Sequence, residues 1–178
     1  MWINRNIAPV LRNAVSQFPV VVLTGARQSG KTSLVRHHFP SASYVTFDIP
    51  ADAELARLDF GAFLKRYPTP LIIDEVQYVP EVLRSIKVHV DHSREPGQFI
   101  VTGSQDFSMM EGVSESLAGR AAILSLPALT LDEAAADGDL DAIDRFCWRG
   151  SYPELVARPD LDRELWLGSY LATYLERD

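Results

Sequence analysis

Eight residues, Gly25-Ala-Arg-Gln-Ser-Gly30-Lys31-Thr32, constrain this chain more than any others. The apolar run Pro19–Thr24 precedes them and a helical pattern over Lys31–His38 follows. A strand, a glycine-rich turn and a helix N-terminus in that order make a P-loop, whose successive backbone N–H groups converge on a phosphate. The helix adds its partial positive charge at the same place. In this reading Gly25, Ala26, Arg27, Gln28, Ser29, Gly30, Lys31, Thr32 and Ser33 form the phosphate cradle. Lys31 reaches the β- and γ-phosphates, and the Thr32 hydroxyl ligates Mg²⁺. Arg27 has a second reading, as a fastening of the loop to a neighbouring carboxylate. With glycine near 7% of residues, chance supplies on the order of 0.01 such octets in a chain of this size. The motif is therefore read as a working loop.

The rest of the chain supplies the context that such a loop needs. Short apolar segments at Pro19–Thr24, Tyr44–Phe47, Leu71–Asp74, Phe99–Thr102 and Ala121–Leu126 alternate with helix-length amphipathic stretches. The helices are expected at Pro9–Gln17, Lys31–His38, Ala51–Arg66 (broken near Gly61) and Glu81–Asp91, with Pro80 suited to the first turn of the last. Near-continuous apolar strands separated by helices predict a parallel sheet covered on both faces. After Leu126 the pattern is helical to the end, and Thr130-Leu-Asp-Glu133 reads as a capping box. The expected organisation is an α/β core over residues 1–127 and a helical extension over 128–178, the extension being the start of a longer C-terminal region.

Two further strand ends carry polar groups. Leu71-Ile-Ile-Asp74-Glu75 places adjacent carboxylates at the end of a buried strand, where they are costly unless they face a cation or ordered water. Asp74 is read as the magnesium residue and Glu75 as the base that polarises the attacking water. Phe99–Thr102 runs into Gly103-Ser104-Gln105, where Ser104, with Gln105 as its substitute, suits a water-positioning role. Arg120 admits two readings of equal standing, stabilisation of γ-phosphate charge or a structural ion pair. Asp48 reads as a turn or cap residue, and His37 and His38 as favourable charges at a helix C-terminus. His89 and His92 lack the companions that a metal site requires.

Charge and cysteine usage narrow the setting. Of 178 residues, 47% are hydrophobic and 23% charged, for a net charge of −7. Residues 1–100 carry 11 Lys/Arg against 9 Asp/Glu, whereas residues 101–178 carry 6 against 15. Direct nucleic-acid binding by this segment is not expected, because such binders show a basic stripe that neutralises phosphates. A single cysteine, Cys147, excludes an intramolecular disulfide framework and fits a reducing compartment. No apolar run approaches the roughly 18 residues of a membrane span. A cytoplasmic protein without membrane attachment is expected.

The motifs Gly25-Ala-Arg-Gln-Ser-Gly-Lys-Thr, Leu71-Ile-Ile-Asp-Glu-Val-Gln77, Val101-Thr-Gly-Ser-Gln105, Ser116-Leu-Ala-Gly-Arg120, Gly150-Ser-Tyr-Pro-Glu154 and Tyr174-Leu-Glu-Arg-Asp178 follow one another in this order. Together they resemble a prokaryotic family of AAA-type P-loop ATPases with an uncharacterised C-terminal domain. The resemblance implies a five-stranded parallel sheet of the AAA/ASCE type, with the strands ending in Asp74 and near Ser104 lying between the P-loop strand and the second strand. It also implies Mg²⁺ and ATP as ligands, and further structure after Asp178.

Three functions fit such a site. The first is Mg-dependent ATP hydrolysis, with slow turnover permitted, that drives a conformational change. The second is a nucleotide-regulated binding module that barely turns ATP over; Glu75 favours the first, since a pure binder needs no base. A small-molecule kinase ranks third, because the acidic segment after residue 100 offers no basic lid. The only asparagines are Asn4, Asn6 and Asn13, so an Asn-Lys-x-Asp guanine-reading motif is absent. Adenine specificity thus rests on elimination and resemblance. Near the end, Trp166, Leu167, Tyr170, Leu171, Tyr174 and Leu175 share one helical stripe that calls for a protein partner or a downstream domain.

Overall fold

A computed structural model describes residues 2–104, 116–135 and 141–174. They divide into two compact units, Asn6–Pro127 and Met1–Arg5 with Ala128–Asp178. The first unit runs α1 (Ala8–Val15), β1 (Val20–Thr24), α2 (Lys31–His38), β2 (Ser43–Thr46), α3 (Pro50–Leu58), α4 (Phe60–Arg66), β3 (Leu71–Asp74), a 3₁₀ turn (Val76–Tyr78), α5 (Val82–His92), β4 (Phe99–Gly103) and β5 (Ala121–Ser125). The strands form one sheet in the order β2-β3-β4-β1-β5, and every pairing is parallel. The strands bearing Asp74 and Thr102 thus lie between β1 and β2, in the expected order.

Both faces of this sheet are covered, which is why its strands read as continuous apolar runs rather than alternating ones. Val20, Val22, Ile73 and Val101 face one cluster with Phe63, Leu83 and Ile86 from the helices. Their neighbours Val21, Leu23, Ile72 and Ile100 face the other, against Leu11, Leu34 and Val35. Phe63 is fully buried and touches the rings of Phe47, Phe60 and Tyr67. Truncating such a side chain to alanine costs about 3–5 kcal/mol.

Local chemistry sets the helix ends. The expected break in the long helical stretch falls at Asp59 rather than Gly61. Asp59 leaves helical geometry (φ −146°, ψ 88°), and its carboxylate accepts a bond from the Ala62 N–H at 2.8 Å. A side-chain cap therefore decides the break. In α1 the buried residues are Ala8, Leu11 and Ala14, and Val10 is exposed.

The second unit contains α6 (Leu131–Ala134), α7 (Ala142–Arg149), α8 (Pro153–Ala157) and α9 (Arg163–Tyr174). The capping box at Thr130 and Glu133 is formed, the Thr130 N–H donating to Glu133 Oε2 at 3.0 Å. The same carboxylate receives Arg5 Nε at 3.0 Å, a pair in which both side chains are buried. Arg149 donates to the carbonyls of Leu155, Arg158 and Leu161 and so ties off the end of α8. The rings of Tyr152, Trp166 and Tyr170 meet with centroids 4.9–5.3 Å apart, Trp166 and Tyr170 stacked and Tyr152 tilted against both, and Trp166 Nε1 donates to Glu154 at 3.2 Å. Trp166 and Tyr170 stay half-buried, while Leu165 and Leu171 are exposed. Leu175, expected on the same stripe, lies outside the described residues. Among these, no helix is long and apolar enough to cross a membrane.

Candidate functional site

Parallel pairing brings the C-terminal ends of β1, β3 and β4 to one edge of the sheet, where Thr24 pairs with Gly103 and Ile73 with Val101. The loop Gly25–Gly30 leaves β1 at this edge and turns into α2. Gly25 (φ 152°) cannot carry a side chain, because a Cβ there would lie 2.2 Å from the Leu126 carbonyl oxygen. Gly30 (φ 95°) makes the left-handed turn that starts α2. Gln28 also adopts a left-handed conformation (φ 61°), an uncommon state for a side-chain-bearing residue and one seen at ligand-binding loops. Gly25, Ser29 and Lys31 are buried, Ala26, Gly30 and Thr32 are partly exposed, and Arg27, Gln28 and Ser33 are exposed.

Lys31 folds back over the loop, and its Nζ donates to the Gly25 and Ala26 carbonyls at 2.9 Å each. Burial lowers its pKa, the carboxylates of Glu75 and Asp74 oppose that shift, and Arg27 adds to it. The ammonium is thus held at the loop, with two carboxylates in its field.

Asp74 is the hub of the edge. It is 3% exposed, yet three hydroxyls donate to its carboxylate. Thr32 Oγ1 donates to Oδ2 at 2.7 Å, Tyr44 Oη to the same oxygen at 2.9 Å, and Thr102 Oγ1 to Oδ1. Three donors of this kind offset the cost of burying the charge. Burial first, and then the Asp74 carboxylate, raise the Tyr44 hydroxyl above the usual tyrosine range, so it stays a donor. The Thr32 hydroxyl and the Asp74 carboxylate form an all-oxygen pair of the kind a hard cation takes. Among the described residues no group of three or more His, Cys, Asp or Glu stands ready to hold a metal. A cation here suits Mg²⁺, which takes one or two protein oxygens and completes its shell with phosphate and water.

Glu75 follows at the strand end in a left-handed conformation (φ 57°), and Gln77 Nε2 donates to its Oε2. Gln77 Oε1 is buried with no hydrogen-bond partner among the described residues. Ser104 follows Gly103 and leaves the sheet at the P-loop edge, partly exposed; Gln105 lies outside the described residues.

The structure does not bring Arg120 to this edge. It precedes Ala121, which pairs with Val20 at the start of β1. That is the opposite edge of the sheet, roughly 13 Å of strand from Thr24. There Arg120 Nε and Nη2 meet the two oxygens of Asp91 at 2.6 and 3.0 Å, and Nη1 donates to the Ala118 carbonyl. Of the two sequence readings of Arg120, this geometry supplies the structural ion pair.

Sequence reasoning missed Tyr44 and Thr102. The available signal was uneven: Thr102 is a hydroxyl residue in an otherwise apolar strand, whereas Tyr44 shares β2 with Ser43 and Thr46, and it is the strand order that places both strands beside β3.

Sheet order, P-loop and the Thr32–Asp74 contact define an α/β protein of the P-loop NTPase fold. The family pattern described as AAA domain matches residues 17–135, and this chain belongs to that family. The uncharacterized protein Rv2008c of Mycobacterium tuberculosis is 37% identical over 176 residues, covering 98% of this chain and 39% of its own length. Mb2031c of Mycobacterium bovis matches to the same extent. The chain therefore spans about two fifths of these relatives. Among solved structures, one of katanin, concerned with its self-assembly, has a TM-score of 0.61 at 17% identity, covering 95% of this chain and 71% of that one. The Walker-type ATPase PABY2304 of Pyrococcus abyssi gives 0.59 at 14% identity, with 97% and 72% covered. AMPPCP-bound DnaA from Aquifex aeolicus gives 0.55 at 16%, with 97% and 63% covered. At these identities the likeness is one of fold.

Proposed function

We propose that this chain binds Mg-ATP at the edge formed by Gly25–Ser33, Asp74 and Glu75, and hydrolyses it to drive a conformational change. The observation that carries the reading is the Thr32–Asp74 contact at 2.7 Å, which joins the loop to the carboxylate of the neighbouring strand end. Membership of the AAA-domain family supports it. In this reading the loop N–H groups and Lys31 bind the phosphates, and Thr32 and Asp74 hold Mg²⁺. Mg²⁺ held there would supply neutralisation of the phosphate charge. Glu75 accepts a proton from the attacking water, and Ser104 orients that water. Arg120, held at the other edge, takes no part within its own chain. The single cysteine suits a cytoplasmic setting.

A second reading has its own support. The carboxylate of Glu75 is engaged by the Gln77 amide, an arrangement that suits a nucleotide-holding switch with little turnover. Steady-state phosphate release with Mg²⁺, with EDTA and with added polynucleotide separates the two. Mg-dependent release supports the ATPase, and tight ATP binding without release supports the switch. Stimulation by polynucleotide would overturn the expectation that this segment makes no nucleic-acid contact.

A further inference from the structure

Tyr44 lies on a strand that the nucleotide motifs do not include, yet its hydroxyl reaches Asp74 Oδ2 at 2.9 Å. The register explains how. Thr46 pairs with Asp74, and Tyr44 sits two residues earlier on β2, on the same face of the sheet. A tyrosine side chain is long enough to cover the diagonal to the next strand. Its ring packs on the cluster that includes Ile72 and Leu34. The Arg36 guanidinium covers the ring at 4.7 Å from the centroid. Thr32 and Arg36 are one turn apart on α2, so the helix that begins at the P-loop grips Asp74 with one residue and Tyr44 with the other.

We infer that Tyr44 is a positioning residue for the cation site, fixing the plane of the Asp74 carboxylate so that Thr32 and Asp74 present their oxygens together. The inference rests on the proposed Mg-ATP site and adds a residue to it. Each Asp74 oxygen is held from outside the P-loop, Oδ1 by Thr102 and Oδ2 by Tyr44. With the tyrosine hydroxyl gone, Thr102 still holds Oδ1, but Oδ2 keeps only the Thr32 hydroxyl, itself a ligand in this reading, and nothing outside the P-loop fixes that oxygen. Groups that orient a metal's own ligands typically change metal affinity by about tenfold or more when removed. The Thr32 hydroxyl then meets the cation with a misdirected partner.

Tyr44→Phe keeps the ring and its place under Arg36 and removes one oxygen. The test is calorimetric ATP binding by parent and variant, in EDTA and across a Mg²⁺ titration, with thermal melting in EDTA alongside. The expected result is unchanged melting, unchanged ATP affinity in EDTA, and a roughly tenfold rise in the Mg²⁺ concentration that half-saturates the metal-dependent gain. An unchanged or lower half-saturating Mg²⁺ in the variant overturns the role of Tyr44 and leaves the nucleotide site standing. Equal losses in EDTA and in Mg²⁺ make Tyr44 a structural residue only, and also overturn it. A parent whose ATP affinity ignores Mg²⁺ overturns the proposed cation site itself.

Discussion

Thr32 Oγ1 lies 2.7 Å from Asp74 Oδ2, joining the first turn of α2 to the end of β3 across 42 residues of sequence. The contact places a hydroxyl and a carboxylate where one cation can be shared between the loop and the sheet. Asp74→Asn keeps the shape and removes the charge. It is expected to leave ATP affinity in EDTA near the parent value and to abolish the gain that Mg²⁺ provides. Calorimetry in the two buffers checks this.

Glu75→Gln separates binding from chemistry. The amide cannot take a proton from water, so ATP binding should persist while phosphate release falls by roughly 10²–10⁴-fold. Release at the parental rate would remove Glu75 from the mechanism and favour the switch.

Much of this site is local, and local features are legible in a sequence. Gly25 to Thr32 form the loop from consecutive residues, and Asp74 ends an apolar run that reads as a strand by composition alone. The contacts of Asp74 with Tyr44 and Thr102 are not local. They exist because β3 lies between β2 and β4, and no periodicity along the chain encodes strand order. Arg120 is the opposite case: a residue just before a strand of an all-parallel sheet lies at the edge away from the P-loop, and the Ala121–Val20 pairing has it there. At Asp59 a side-chain cap breaks the helix two residues before Gly61, and hydrophobic periodicity does not carry that cap.

Arg120→Gln tests the ion pair with Asp91. The variant should lower Tm by a few degrees at most, since exposed pairs contribute little, and leave ATP affinity unchanged. Hydrogen bonding and attraction from Arg120 hold the Asp91 carboxyl below the usual aspartate range. A depressed folded-state pKa contributes stability above the ordinary aspartate range and loses it as pH falls through the depressed value. The Tm gap between parent and variant should therefore be widest near neutral pH and close in acid.

Gly25→Ala addresses the loop's geometry. The added Cβ would meet the Leu126 carbonyl at 2.2 Å, and backbone on both sides leaves little room to yield. A cost of about 1–3 kcal/mol is expected from the forced shift, with a lower Tm and weakened ATP binding together. Melting and calorimetry on the same preparation read both.

ATP calorimetry on the parent and on Lys31→Ala asks whether the loop Gly25–Ser33 holds nucleotide phosphate through Lys31. Lys31 Nζ also bonds two loop carbonyls, so melting of the variant in the absence of ATP is recorded as the control. Saturable ATP binding by the parent and none measurable by a folded variant is the expected result. A folded Lys31→Ala that binds ATP with the parent's affinity would contradict it.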